Sequence, residues 1–327
     1  MRTIISMATV LITGGTGMIG KALTKALVEK NHDVIVLTRN VSKVSRYKAQ
    51  GTRHKAQSTK EITAVQYAEW NVEKQTIDKD AIAKADYIVH LAGTNLGEKR
   101  WTRKRKQEIV SSRVDSGRVI VDSLKEIPNH VKAVVSSSAI GYYGPDRKNG
   151  GAFKETDTAF NDFLGQTCKQ WEESISPVTQ LGKRLIVLRS GIVLSKEGGA
   201  LPRFITPLRF GLATILGSGK QIMSWIHIDD LVRIYISAIE NEKLSGVYNA
   251  VAPGTISSKE FVLTLTKTRN KFFIPVRVPS VFLKLVLGEM SIEVLKSATV
   301  SCDKIKTEGF NFLYPSAESA LHQILNT

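Results

Sequence analysis

Two cysteines, Cys168 and Cys302, in 327 residues are too few for a disulfide framework, and their isolation implies no metal site. No apolar run reaches the roughly 20 residues that a membrane-crossing helix needs. Acidic side chains are scarce, 30 against 46 Lys and Arg, which leaves a formal charge of +16. Internal repeats, low-complexity segments and independent linkers are absent, so solenoids and tethered modules are excluded. What remains is a chain with 42% hydrophobic residues, long enough to bury a large core as one domain or two. The stretch from Met1 to Val10 is apolar but runs straight into the next motif without a cleavage site. It reads as a first strand with a short leader, Met7 being an alternative start, and implies a cytoplasmic protein.

The positive charge admits a polyanionic partner. Its densest run is Lys99-Arg100-Trp101-Thr102-Arg103-Lys104-Arg105-Lys106, which contains an aromatic and would suit nucleic acid. The same run fits the solvated start of a helix continuing through Ile109, Val110, Val114, Val119 and Ile120, and that reading is preferred.

The most informative stretch is Thr13-Gly14-Gly15-Thr16-Gly17-Met18-Ile19-Gly20. It follows the apolar run Ala8–Ile12 and opens into residues 21–28, whose apolar positions recur at helical spacing. A strand, a glycine turn and a helix start in this order form a phosphate cradle. Gly14 allows the tight turn, Gly17 the approach of a pyrophosphate, and Gly20 close packing of helix on strand. The free N–H groups of the helix start would face the phosphates. Eighteen residues beyond Gly20, the second strand Val34–Leu37 ends in Thr38-Arg39-Asn40 without an acid. An acid there would select NAD by binding the ribose hydroxyls, whereas a hydroxyl and an arginine suit the 2′-phosphate. NADP(H) is therefore favoured over NAD(H).

The Gly-x-x-Gly-x-x-Gly spacing after Thr13 resembles the short-chain dehydrogenase/reductase superfamily. Later motifs are similar to its extended branch, which houses nucleotide-sugar epimerases and dehydratases, and most of all to an atypical epimerase-like group with an extra C-terminal region. The likeness covers residues 8–325. It implies an α/β fold, a doubly wound parallel Rossmann sheet over residues 1–189 and 228–250, with a smaller C-terminal substrate domain built from 190–227 and 251–327. It also implies cofactor contacts from Gly14, Thr16, Gly17, Met18 and Ile19, from Thr38 and Arg39, and from Asn71 after the third strand. Leu91, Ala92 and Gly93 follow at the end of Asp86-Tyr87-Ile88-Val89-His90. His90 reads as a structural histidine. Arg113 stands where many members carry Asn, and would serve the cofactor or an anionic substrate if it faces the site.

The fifth strand ends in Ser136-Ser137-Ser138-Ala139-Ile140-Gly141-Tyr142-Tyr143-Gly144, which resembles the serine-bearing strand end of the family and puts the active-site hydroxyl at Ser138. The family's Tyr-x-x-x-Lys relay is missing. Leu164 falls at the tyrosine position and Cys168 at the lysine position, and no tyrosine in the chain has a lysine four residues on. Tyr143, Tyr142 and Glu172 are the replacements in reach, Tyr143 being the one carried forward, while Cys168 reads as a core thiol. Gly217–Leu231 resembles a second family segment, with Met223 in place of the arginine that holds a substrate pyrophosphate. His227, Asp229 and Asp230 read as helix capping and anchoring. The likeness thus implies an epimerase-like oxidoreductase acting on a small, anionic molecule, nucleotide-sugar or other. A non-catalytic NADP(H)-responsive protein and a nucleic-acid binder are the rivals, and the family's habit of pairing through long helices allows a homodimer.

Overall fold

The computed structural model describes residues 7–41, 65–148, 150–269 and 272–326. The loop or short helix expected over residues 41–61 lies almost wholly outside them. Among the described residues eight strands form the main sheet: β1 (Thr9–Thr13), β2 (Asp33–Thr38), β3 (Gln66–Asn71), β4 (Thr76–Ile77), β5 (Tyr87–His90), β6 (Ala133–Ala139), β7 (Arg184–Ser190) and β13 (Gly246–Ala250). Their order is β13-β7-β6-β5-β1-β2-β3-β4, with every pairing parallel except that of β3 with β4. The chain winds outward from β1 in one direction, then returns to its other side at β5. That reversal opens a crevice between the carboxyl ends of β1 and β5, where ligands bind in sheets of this kind.

The strands are apolar on both faces because both faces are covered. Val10, Ile12, Val34, Val36, Val89 and Val135 point to a core shared with α1 (Met18–Glu29) and with Leu231, Ile234 and Tyr235 of the helix Ile228–Glu240. Leu11, Ile35, Leu37, Ile88 and Val134 alternate with them. They face Ile82 of α2 (Lys79–Lys84), Val119, Ile120 and Leu124 of α3 (Arg103–Glu126), and Ile175 of α4 (Phe163–Ile175). Alternation along a strand thus sorts one continuous run into two cores. The helix expected over residues 76–84 is shorter than that, because Thr76 and Ile77 pair antiparallel with Asn71 and Trp70 and the helix starts only after Asp78 caps it.

A third core joins Leu194 and Trp225 of β8 (Ile192–Ser195) and β12 (Trp225–His227), Leu201 and Leu208 of α5 (Leu201–Leu208), and Ala213 and Ile215 of β10 (Leu212–Leu216). Phe261 of α7 (Ser258–Thr268) and Leu321 of the last helix, Ala317–Asn326, complete it. Val300, Cys302 and Ile305 do not join this cluster. They pack into the first core, where Phe153 bridges to Val300.

Gly14 has φ +69°, and a β-carbon there would stand 2.8 Å from the Leu91 carbonyl. Gly20 admits the first turn of α1 against the glycine loop, since its β-carbon would lie 2.5 Å from the Gly14 oxygen and the Gly15 Cα. Gly20→Ala is expected to cost about 1–3 kcal/mol by overpacking, read as a lower urea midpoint with an unchanged slope. An unchanged midpoint would show that the loop yields freely.

Candidate functional site

Gly17 caps α1 without a side-chain hydrogen bond, so the first-turn N–H groups open toward the crevice. Thr16 and Gly17 are exposed, Met18 and Ile19 half-buried. The hairpin from β8 into β9 (Gly198–Gly199) reaches over this turn: a β-carbon on Gly198 would lie 3.2 Å from Met18 Sδ. At the end of β2, Thr38 is half-buried and Arg39 exposed, with no acid between them. Asn71 ends β3, where its side-chain oxygen accepts from the Lys74 N–H at 3.0 Å.

Across the crevice, Thr13 and His90 lock the ends of β1 and β5. Thr13 Oγ1 accepts from the N–H groups of Leu91 and Ala92 at 3.1 and 3.2 Å and meets His90 Nδ1 at 2.8 Å. His90 Nε2 reaches Ser116 Oγ at 3.3 Å, consistent with a neutral ring that accepts at Nδ1 and donates at Nε2. Burial, helped by the Arg113 charge, holds its pKa down to about 3. His90 is therefore a structural link, as read from the sequence.

Beyond it the chain turns through exposed Gly93. The guanidinium carbon of Arg113 lies 3.1 Å from where a Gly93 β-carbon would stand. Arg113 is buried, donates to the carbonyls of Ile109 and Thr94 at 3.0 and 3.1 Å, and sits 5.1 Å from the Trp171 ring. Burial lowers its pKa to about 10, which leaves it charged at neutral pH. Arg113 thus lies under the crevice floor rather than out in solvent.

The far wall is a buried polar chain. Arg189 at the end of β7 grips Glu172 with two bonds of 2.8 Å, from Nε and Nη2. Glu172 also accepts from Ser138 Oγ at 2.6 Å. Arg189 Nη1 donates to the Tyr143 hydroxyl at 2.9 Å, which donates to Asn249 Oδ1 at 2.8 Å. Burial opposes the charge on Arg189, but the Glu172 bonds outweigh it and its pKa is raised.

The structure places both expected catalytic hydroxyls in this network. Tyr143 has no exposed surface, both functions of its hydroxyl are used, and burial pushes its pKa up to about 12. Its hydroxyl links Arg189 to Asn249. Ser138 is also buried and spends its proton on Glu172. Leu164 and Cys168 are buried as well, the thiol pushed by burial up to about 12. Arg189 and Asn249 join the site unannounced by any motif; their only signal is an arginine and an asparagine one residue before the ends of otherwise apolar strands.

Met223 is buried in the third core, so it offers no phosphate contact. Arg203 of α5 donates to the Gly97 carbonyl and thereby ties the substrate-side segment to the loop after β5. His227 caps its helix by accepting from the Asp229 N–H at 3.0 Å, and Asp230 anchors the backbone of Leu313 and Tyr314 at 2.9 Å each. Among the described residues no group of acidic, histidine or cysteine side chains is arranged to hold a metal, and no helix is long and apolar enough to cross a membrane. A surface hollow of about 720 Å³ lies elsewhere, between the outer faces of α3 and α4, and none of the glycine-turn residues lines it.

Two stability predictions follow from these contacts. Glu172→Ala would strand the buried Arg189 charge, at an expected cost of about 3–5 kcal/mol; a loss below 1 kcal/mol in urea unfolding would refute the clamp. His90 binds a proton more readily unfolded than folded, so its contribution is complete above pH about 6.5 and drains away as pH falls toward about 3. His90→Asn should flatten the stability profile across that window; an equally steep acid limb would assign the loss to other groups.

Three comparisons place this geometry among known proteins. The model of the NAD dependent epimerase/dehydratase family matches residues 10–250, and that of a domain of unknown function, DUF1731, matches residues 278–324. An epimerase family protein of Staphylococcus saprophyticus is 35% identical over 318 residues, covering 97% of this chain and 99% of its own. One from Bacillus subtilis is 32% identical over 318 residues, covering 97% of each. The crystal structure of a human epimerase family protein, SDR39U1 isoform 2, solved with NADPH, superposes with TM-score 0.82 at 28% identity over 97% of this chain and 99% of that one.

Proposed function

The chain belongs to the NAD dependent epimerase/dehydratase family, and from that premise we propose that it is an NADP(H)-binding, epimerase-like oxidoreductase acting on a small anionic substrate. The observation that carries this reading is the uncapped helix start at Gly17, set at the sheet's switch point beside a β2 end that offers Thr38 and Arg39 instead of an acid. The residues present fit the cofactor. The Gly17 N–H closes the turn on the Gly14 carbonyl at 3.0 Å, so the N–H groups of Met18 and Ile19 would take the pyrophosphate, Arg39 the 2′-phosphate, and Ala92 and Gly93 leave room for a ribose. The human relative solved with NADPH supports the same assignment.

When bound, the nicotinamide supplies a hydride donor or acceptor; the protein supplies orientation and charge. A lysine normally holds positive charge beside the nicotinamide ribose. Here the thiol of Cys168 occupies its place, but Arg113 from the neighbouring helix is close enough for the two groups to perturb each other. Arg113 is thereby proposed to supply from α3 the fixed charge that α4 has lost, steadying an anionic substrate group above Gly93. The substrate side would be formed by residues 190–227 and 251–327, a division supported by the separate third core, with Val300–Ile305 lent back to the first.

A non-catalytic, NADP(H)-responsive role is the second reading, favoured by the burial of both relay positions. Reduced-nicotinamide fluorescence separates the claims. NADPH should bind more tightly than NADH, and Arg39→Ala should weaken NADPH by about tenfold, a loss of roughly 1.4 kcal/mol, while sparing NADH. Equal affinities untouched by Arg39→Ala would remove the NADP preference, and no binding of either would remove the cofactor reading itself. Turnover in a substrate screen that falls with Arg113→Met at unchanged NADPH affinity would favour the enzyme; nucleotide binding without turnover would favour the sensor.

A further inference from the structure

A surface helix of a soluble protein ordinarily turns its polar face outward. The helix α8 (Ser280–Leu287) does the reverse. Leu283 is its buried residue, while Val281, Phe282, Leu285 and Val286 are 76, 55, 71 and 53% exposed. Spaced i, i+1, i+4 and i+5, these four share one face. The strand that leads into α8 through Pro279 continues the pattern. This strand, β15 (Ile274–Val278), pairs with β10 so that Leu212 stands opposite Ile274. Those two and Val276 are exposed, while Ala213 and Ile215 face the third core. Ile292, just past α8, is 54% exposed. Single exposed apolar side chains call for no explanation; a succession along one strand and helix does.

The basic run lies against the end of this helix. Arg100 Nε is 2.7 Å from where a β-carbon of Gly288 would stand, and Lys106 pairs with Glu289. Of that run, Arg105 is buried and tied to Glu98 and Glu108, which corrects the expectation of a wholly solvated helix start. Lys99, Arg100, Arg103 and Lys104 are exposed. They crowd the N-terminal end of α3, whose first turn holds no acid, so the helix dipole opposes them. Their placement costs the helix stability, and among the described residues none of these four side chains makes an ion pair or hydrogen bond. Lys284 adds an exposed cation on α8 itself.

We propose that α8 and the adjoining basic run form a docking surface for an anionic lipid bilayer. Aliphatic and aromatic side chains would enter the headgroup boundary while the cations meet lipid phosphates. Nucleic acid would leave the Val281–Val286 stripe in water. A second copy would oppose two chains of +16 charge. The surface is peripheral and involves no spanning segment.

The test is co-sedimentation of the full chain with vesicles of phosphatidylcholine alone or mixed equally with phosphatidylglycerol. The chain should bind the mixed vesicles, less so in high salt. Phe282→Ser with Leu285→Ser, or Arg103→Ala with Lys104→Ala, should each lower partitioning by at least about tenfold. Unchanged NADPH affinity and melting temperature verify that the variants fold. No binding to the mixed vesicles overturns the proposal, as does binding indifferent to the Phe282/Leu285 pair. A self-association lost with that pair in vesicle-free solution would assign the face to a second copy, and duplex DNA displacing bound vesicles would assign the cations to nucleic acid; either result also overturns it.

Discussion

The two hydrogen bonds between Glu172 and Arg189 hold the far wall of the crevice together. Through them the end of β7, the last turn of α4, Ser138 on β6 and Tyr143 beyond it share one buried network, and Asn249 carries it to β13. A buried charge pair of this kind adds little net stability over an apolar equivalent, but losing one partner is expensive. Its value lies in geometry. Three parallel strand ends and one helix are fixed relative to each other, and Ser138 and Tyr143 are drawn into the support.

With that wall rigid, the remaining features of the crevice concern anions. The first turn of α1 presents uncapped N–H groups, the end of β2 presents Arg39, and Arg113 lies beneath Gly93. On the proposed reading positive charge is kept while its bearer changes: α4 carries the buried thiol of Cys168, and α3 beside it carries the Arg113 guanidinium. Tyr143 is buried, whereas Tyr142 is half-buried with the Arg189 guanidinium 3.4 Å from its ring centre.

Much of the frame was legible because its signals are local. Runs such as Val34–Leu37 and Val134–Val135 are apolar at every position, which marks strands covered on both faces, and the glycine turn sits between a strand and a helix as the phosphate cradle requires. Less was legible where contacts are distant. Tyr143 lies five residues from Ser138 in sequence, yet its hydroxyl turns to Arg189 and Asn249, partners that sequence proximity does not reveal. The short strand Thr76–Ile77 was hidden because its pairing with β3 overrides local propensity. Likewise, only the fold shows that Val281, Phe282, Leu285 and Val286 of Ser280–Leu287 face out.

The most direct measurement is a crystal structure of this protein with NADPH. The account predicts the pyrophosphate on the N–H groups of Met18 and Ile19, the 2′-phosphate within hydrogen-bonding reach of Arg39, and the nicotinamide end over Gly93 above Arg113. A dinucleotide bound away from the β1 and β5 ends, or a 2′-phosphate turned to solvent with Arg39 uninvolved, would contradict it.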